Sequence, residues 1–341
     1  MKENIAISSL TTMRLGGAAR YVVEVGTIEE LRAAYDFARE RGLPVFVLGS
    51  GANVIGRDEG FAGVIIVDKF RGIEIVDETD REMTVKAGGG EVWDDVVRWT
   101  TERGYSGIEA MSAIPGTAGA APVQNIGAYG QDISQVVVAV EAFDTATGEV
   151  VMIPREKLGM GYRRSIFNRG DEAGRYFIIA VILRVNRGEL APPFYTSLQK
   201  YVDENRVTDF SPENVRRMVA EIRAGKLPDP EKIASAGSFF KNIYLLDEEV
   251  EGARERGIPV WDYSEGVRNV VNSGWLVENA GLKGKAFYGF RVSDKAALVL
   301  INESATSYAD LERAKAEIVG VVREKFGFEL EQEPVEIGQG R

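Results

Sequence analysis

Between residues 107 and 133 the sequence keeps neither the period of a buried helix face nor the alternation of a strand, and Gly, Ala and Pro dominate it. Connections in compact domains run to about 4–6 residues, so an aperiodic stretch of this length reads as a functional loop that the rest of the fold must accommodate. The chain has 341 residues, more than one core comfortably serves, which predicts two or three domains of roughly 70 to 150 residues.

The segments on either side are periodic. Thr27-Ile-Glu-Glu30 opens a helix with a capping-box pattern; Leu31, Ala34, Tyr35 and Ala38 share its apolar face, and Gly42 ends it. Val45–Leu48 reads as a buried strand delivering the chain into Gly49-Ser-Gly-Ala-Asn53, and a second strand covers Val64–Val67. A helix from Val92 to Arg103 carries Trp93, Val96, Val97 and Trp99. Strands are expected at Val136–Phe143, Val150–Ile153 and Tyr176–Val185, the first two joined by a turn around Thr147-Gly148. Ser211-Pro212 starts a helix with Val215, Met218, Val219 and Ile222 inward and Gly225 after its end. The last helix runs from about Tyr308 to Phe326. These elements divide the chain into an α/β piece, 1–70, to which 327–341 return, a strand-rich piece, 71–205, and an α+β piece, 206–326.

Composition then restricts the chemistry. The chain contains no His and no Cys, which removes Ser-His-Asp and Cys-His catalysis, His/Cys zinc sites, disulfides and the common covalent flavin links. No metal site is expected, and reactivity must come from Ser, Tyr, Lys, Arg, Asp, Glu or a borrowed cofactor. A net charge of −11 argues against a nucleic-acid surface, which needs clustered Lys and Arg. With no run of about 18 apolar residues and no signal-peptide core, the chain is expected in the cytoplasm, without membrane contact. Nothing in the pattern marks an interface, so a monomer is expected.

Two loops carry the functional signal. Gly49-Ser-Gly-Ala-Asn53 follows a strand and exposes backbone N–H groups with little side-chain obstruction, which suits a diphosphate; a plain turn is the alternative. A Rossmann fingerprint needs a helix directly after the glycines, and Arg57-Asp-Glu-Gly60 does not form one. Ile114-Pro-Gly-Thr-Ala-Gly-Ala-Ala-Pro-Val-Gln-Asn-Ile-Gly-Ala-Tyr-Gly130 permits close approach of backbone to a flat ligand, with Gln124, Asn125 and Tyr129 as placed polar groups; a structural loop is the other reading.

Together these loops resemble the FAD-binding fold of the vanillyl-alcohol-oxidase (PCMH) type. Further motifs are Thr12-Met-Arg-Leu-Gly-Gly17, Gly161-Tyr-Arg-Arg-Ser-Ile-Phe167, Lys226-Leu-Pro-Asp-Pro230, Ala236-Gly-Ser-Phe-Phe-Lys-Asn242, Gly274-Trp-Leu276, Leu282-Lys-Gly284, Ala297-Leu-Val-Leu-Ile-Asn302 and Leu330-Glu-Gln-Glu333. With them, almost the whole chain is similar to the UDP-N-acetylenolpyruvoylglucosamine reductase (MurB) family. The resemblance implies an α+β protein with a two-subdomain FAD-binding fold and a C-terminal substrate-binding domain. It also implies non-covalent FAD, NADPH as co-substrate, and reduction of an enolpyruvyl sugar nucleotide in peptidoglycan synthesis.

The resemblance assigns residues as well. FAD contacts are implied for Gly49, Ser50, Gly51, Ala52 and Asn53, then for Ile114, Pro115, Gly116, Gly119 and Ala120, and for Gln124, Asn125, Gly127, Ala128 and Tyr129. Ser238 is implied as the proton donor, although its segment alone reads as a capped turn with core phenylalanines. A serine hydroxyl is a poor acid in water and needs nearby positive charge or a relay. Lys226 is a source of that charge, or else a solvated lysine at a helix end. Tyr162 and Arg163 are implied to face the active site, with Arg163 gripping the substrate carboxylate and Arg164 on the surface.

Glu333 corresponds to the family's catalytic glutamate; Glu329, Glu331 and Glu336 around it make a solvated acidic tail the alternative. Tyr195 matches a tyrosine on a substrate-covering loop, and Asn242 and Lys283 match nucleotide-sugar contacts. Ser293 and Ala296 depart from the family, standing where many relatives carry a His-containing stretch and a Gln, and Ile243 replaces a frequent proline. Two rival readings stand beside this one. Another flavin oxidase or dehydrogenase of the same fold would keep the glycine loops and lack Ala236–Asn242 with Glu333. A catalytically silent protein would bind FAD or a sugar nucleotide without turnover.

Overall fold

The computed structural model describes residues 1–192, 194–262 and 268–337. They gather into two compact units, the first made of Met1–Glu3, Tyr21–Ser50 and Gly63–Arg223, the second of Asn4–Arg20, Gly51–Ala62 and the chain from Ala224 onward.

In the first unit Thr27 caps helix α1 (Ile28–Glu40), accepting from the Glu30 N–H, while Glu30 Oε2 accepts from the Gly26 N–H at 2.8 Å. Leu31, Ala34 and Ala38 on α1 pack against Val64 and Ile66 of the strand Phe61–Asp68. That strand is buried on both faces from Gly63 onward, and Val45–Leu48 pairs with it in parallel. The four-stranded order is Lys2–Ala6, Ala18–Val25, Phe61–Asp68, Val45–Leu48. Among the described residues Val45–Leu48 is thus an edge strand, and only Leu48 of it is buried, so the expected buried strand is half-exposed.

A six-stranded antiparallel sheet completes this unit. Its order is Glu149–Pro154, Val137–Asp144, Tyr176–Arg187, Glu82–Gly88, Ile73–Glu78, with Tyr105–Ser106 also paired to Tyr176–Arg187. The long strand Tyr176–Arg187 is bulged opposite Glu141 and Ala142, which shifts its alternation by one residue. Phe177 and Ile179 therefore join the α1 layer, whereas Ile178, Val181, Leu183 and Val185 join the layer of helix α2 (Trp93–Thr101). Trp93 is fully buried there and its Nε1–H donates to the Met111 carbonyl at 3.0 Å.

Helices α3 (Thr196–Asn205) and α4 (Pro212–Lys226) form a separate small core of Leu198, Val202, Val215, Met218 and Val219. The sequence does not announce α3, whose N-cap Tyr195 makes no side-chain capping bond. Helix α4 continues past its expected stop because Gly225 stays helical instead of turning left-handed.

The second unit has a four-stranded sheet in the order Ala234–Ser238, Val299–Asn302, Phe290–Val292, Ala286–Phe287. Helices α5 (Asp247–Glu255), α6 (Ser273–Asn279) and α7 (Tyr308–Phe326) surround it, and Met13, Leu15, Ile55, Phe239, Phe290, Leu311 and Ile318 meet in its core. Ser307 caps α7, and Gly327, at φ +74°, ends it. Val335–Ile337 pairs in parallel with Val54–Gly56.

One hairpin of the first unit makes its electrostatics testable. Asp144 closes the turn after Val137–Asp144, its Oδ1 accepting from the Ala146 N–H at 3.0 Å, while Arg175 clamps both carboxylate oxygens at 2.9 and 2.6 Å. The Arg175 bond holds this carboxyl down at about 2. The folded value lies below the unfolded one of about 3.9, so the stabilisation is complete above that pH and is lost as pH falls through the folded value. Asp144→Asn should lower the urea midpoint at pH 7, and the gap to the parent should close towards pH 2; an equal gap at both pH values would contradict the assignment.

Candidate functional site

Short turns order the aperiodic loop. They are 3-10 turns at Glu109–Met111 and Ala118–Ala120, then a hairpin pairing Gly127–Ala128 with Gln131–Asp132. Residues 116–120 lie backbone on backbone along residues 89–93. Gly119 N–H donates to Gly89 O at 2.8 Å, Ala118 N–H to Glu91 O at 2.8 Å, and Trp93 N–H to Gly116 O at 3.1 Å. So close an approach needs glycine on both sides: a Cβ on Gly89 would stand 2.4 Å from Asp68 Oδ2, and one on Gly119 3.0 Å from Gly89 Cα.

Gly49 meets this segment from the end of Val45–Leu48. A Cβ there would fall 2.6 Å from Thr117 Oγ1 and 3.6 Å from the Ala120 Cβ. Thr117 Oγ1 is buried with no hydrogen-bond partner, and such a hydroxyl is destabilising unless something polar meets it. A ligand oxygen lodged against Gly49 and Ser50 would do so, which fits a flavin diphosphate. Ile114 and Gly116 are half-buried, Pro115 and Ala120 exposed.

Beyond Ala120 the loop is tied to the Tyr162–Arg163 turn. Asn125 is buried in the left-handed region (φ +45°); its Nδ2 donates to Gly161 O at 3.2 Å and its Oδ1 accepts from the Ser134 N–H at 3.1 Å. Ser165 Oγ donates to Val123 O at 2.7 Å. Gly161 and Arg164 exchange backbone bonds at 2.9 and 3.1 Å, which puts Tyr162 and Arg163 at the tip of a tight turn, Arg163 at φ +50°. The Arg163 guanidinium lies over the Tyr162 ring, 5.1 Å from its centroid, and Arg164 is exposed as expected. Gln124 is half-buried in the same stretch.

Tyr129 and Gly130, at φ +49° and +86°, form the hairpin turn after Gly127–Ala128. The Tyr129 ring meets Tyr195 edge-on, with centroids 5.9 Å apart. Its hydroxyl is hydrogen-bonded to Arg223 of α4, whose Nε–H donates to Ala113 O at 3.2 Å. Burial pushes the Tyr129 phenol up and the Arg223 guanidinium down. Arg216, two turns earlier on the same α4 stripe, pairs with Asp94 at 2.6 Å, and Asp94 also accepts from the Ala113 N–H at 2.6 Å. Sequence reasoning missed these two arginines. Their seven-residue spacing along α4, beside the apolar stripe, was the available signal.

The second unit holds the remaining candidates. Gly51, at φ +72°, sits where a Cβ would meet Leu10 O at 2.0 Å; Thr12 N–H donates to Gly51 O at 3.1 Å. Ala52 O accepts from Thr12 Oγ1 at 3.3 Å, and Asn53 O from the Val335 N–H at 3.0 Å. Ser238 ends the strand Ala234–Ser238 opposite Val299, after Gly237 at φ +71°. The Phe239 N–H donates to Leu298 O at 2.7 Å, and both Phe239 and Phe240 are buried.

Phe240 then bridges Gln332, Lys241 N–H donates to Glu331 O at 2.8 Å, and Glu333 N–H donates to Phe239 O at 2.9 Å. The fold thereby sets Glu333 beside the residue that follows Ser238. Asn242 Oδ1 accepts from the Ser273 N–H at 3.2 Å at the start of α6, and Lys283 pairs with Glu278 at 2.8 Å. Lys226 is exposed at the end of α4. Ser293 is buried, its Oγ accepting from the Lys295 and Ala296 N–H groups at 3.2 and 3.4 Å, so this departure from the family stabilises a local turn.

Residues 19–153 match the FAD binding domain family, and residues 229–337 match the UDP-N-acetylenolpyruvoylglucosamine reductase C-terminal domain. A UDP-N-acetylenolpyruvoylglucosamine reductase from Burkholderia orbicola (strain MC0-3) is 35% identical over 332 residues, covering 96% of this chain and 95% of that protein. The enzyme of the same name from Pseudomonas putida is 34% identical, covering 98% of each. The crystal structure of UDP-N-acetylenolpyruvylglucosamine reductase (MurB) from Thermus caldophilus superposes with a TM-score of 0.67 at 23% identity, covering 97% of each chain, and shows the same fold. The chain belongs to the UDP-N-acetylenolpyruvoylglucosamine reductase family.

Proposed function

We propose that this chain reduces UDP-N-acetyl-3-O-(1-carboxyvinyl)-glucosamine to UDP-N-acetylmuramate in peptidoglycan synthesis, using NADPH and a non-covalently held FAD. The observation that supports the reading is the bond from Glu333 N–H to Phe239 O, which sets the main chain of Glu333 beside the residue that follows Ser238. A solvated acidic tail has no reason to be pinned there.

The residues that fit FAD are those of the glycine cradle. Gly49 and Ser50, with the unpartnered Thr117 hydroxyl beside them, would meet the phosphates, the Ala118, Gly119 and Ala120 N–H groups being engaged by main-chain carbonyls, and Tyr129 with the Gly127–Ala128 hairpin would border the flat ring. The chemistry FAD supplies when bound is to take a hydride from NADPH and deliver it to the outer vinyl carbon of the enolpyruvyl group.

The chain's own residues do the rest. Arg163 grips the substrate carboxylate with two parallel bonds and stabilises the charge that builds there as the double bond is lost. Ser238 gives its proton to the carbon bearing that carboxylate. Glu333 assists by orienting or relaying at the proton step, and Lys226 supplies positive charge for the serine alkoxide. Tyr162, Tyr195, Asn242 and Lys283 bind the sugar nucleotide. In this reading residues 1–70 with 327–341, of which 338–341 lie outside the described residues, and 71–205 serve the flavin, and 206–326 the substrate. Among the described residues no helix is long and apolar enough to cross a membrane. A monomer acting in the cytoplasm is part of the proposal.

The test is spectroscopic. Purified protein should show a flavin absorbance that bleaches when NADPH is added anaerobically and returns when the enolpyruvyl sugar nucleotide follows. Bleaching without recovery would point to a different substrate, and a protein unable to take up FAD would end the reading. Ser238→Ala should leave bleaching by NADPH intact and slow recovery by about 10²–10⁴-fold, the usual range for a lost general acid.

The cradle makes a separate prediction. Gly49→Val should weaken FAD binding severalfold by driving its side chain onto Thr117 Oγ1, while Thr117→Val should weaken it by removing the hydroxyl. Both are read by titrating the stripped protein with FAD, and unchanged affinity in the two variants would remove the phosphates from this turn.

A further inference from the structure

Asp68 is a carboxyl for which the proposed reduction has no use. It ends the strand Phe61–Asp68 and is 6% exposed. Its Oδ2 stands against the glycines that admit the 116–120 segment, 2.4 Å from a Cβ built on Gly89 and 3.0 Å from one built on Gly119. The same segment meets Gly49 at Thr117 and Ala120. A single 3-10 turn therefore lies between this carboxyl and the place where a diphosphate fits.

Little nearby offsets a charge on Asp68. Its Oδ1 accepts from the Phe70 N–H at 3.0 Å. Lys69 and Arg71, its chain neighbours, are engaged elsewhere, Lys69 with Glu24 at 3.5 Å and Arg71 with Glu91 at 3.3 Å. Glu91 also accepts from the Gly72 N–H at 2.7 Å. The 116–120 segment and Ile178–Ile179 bring only backbone, apolar and hydroxyl groups. Burial outweighs the Phe70 bond and the two cations and raises the carboxyl to about 7.

We propose that Asp68 couples FAD binding to proton uptake, the cofactor being held tightly when Asp68 is neutral and loosely when it is ionised. The inference rests on the reading of Gly49–Ser50 and the 114–120 segment as the flavin cradle. A diphosphate is fully ionised across the physiological range, and its negative charge beside a shielded carboxylate favours the protonated form. FAD therefore raises the value at which Asp68 ionises. Affinity is highest below the value of the free protein and falls as pH rises through it.

The full chain, stripped of FAD, is titrated with FAD from pH 5.5 to 8.5 by quenching of flavin fluorescence. The parent should bind about tenfold more weakly at the alkaline end, the size expected for two like charges several ångströms apart in a shielded site. Asp68→Asn, of the same shape and without charge, should bind tightly and evenly across the range. Calorimetry of the parent near pH 7, in two buffers of different ionisation heat, should show net proton uptake on binding. This measurement stands even if the variant does not fold.

Tight binding by the parent that is flat with pH and takes up no proton would overturn the role of Asp68 and leave the cradle intact. A slope retained in Asp68→Asn would also overturn it. No binding at any pH would sink the cradle reading, and this inference with it.

Discussion

The laying of one backbone on another, residues 116–120 along residues 89–93, is the constraint on which the first unit depends. It fixes glycine at 89 and 119, because side chains at either place would meet Asp68 Oδ2 or the facing main chain. It also explains why the long loop has no hydrophobic period. Its hydrogen bonds go to a neighbouring backbone instead of to its own helix or ladder, so small size, not alternating polarity, is what the segment is selected for. The open hydroxyl of Thr117 faces Gly49 for the same reason: the turn that buries it leaves no protein acceptor or donor within reach.

Periodic elements were legible from the residues alone. Helix α7 begins and ends where Ser307 and Gly327 put it, and α1 where Thr27 does, since a capped amphipathic helix carries both its face and its limits in local sequence. Helix α3 was not legible, its first turn being marked by no capping side chain, nor was the edge position of Val45–Leu48, which depends on what fails to pair with it. The bulge in Tyr176–Arg187 was equally hidden: it is a property of two strands in register, and it lets one uninterrupted apolar run serve two layers.

The candidate site divides in the same way. The glycine loops announce themselves through composition. Ser238 and Glu333 do not, since one reads as a turn and the other as an acidic tail, and only family resemblance joined them before the structure placed Glu333 N–H on Phe239 O. Arg223 escaped notice because its meaning comes from what α4 covers, the Ala113 carbonyl and the Tyr129 hydroxyl, neither of which is near it in sequence. Asn125, expected at the cofactor, has its amide engaged by Gly161 and Ser134, and so couples the aperiodic loop to the turn that carries Arg163.

The pairing of Val335–Ile337 with Val54–Gly56 has a bearing on how the protein comes into being. About 280 residues separate these partners, so residues 51–62 are made long before the strand that completes their sheet. During synthesis, therefore, Val54–Gly56 waits without this partner, and Phe239 without the Glu333 N–H that later reaches its carbonyl. Contacts of such long sequence separation form slowly because the intervening loop must first close. The edge of Val54–Gly56 thus stays open over that interval, and whatever keeps it from pairing elsewhere acts during translation.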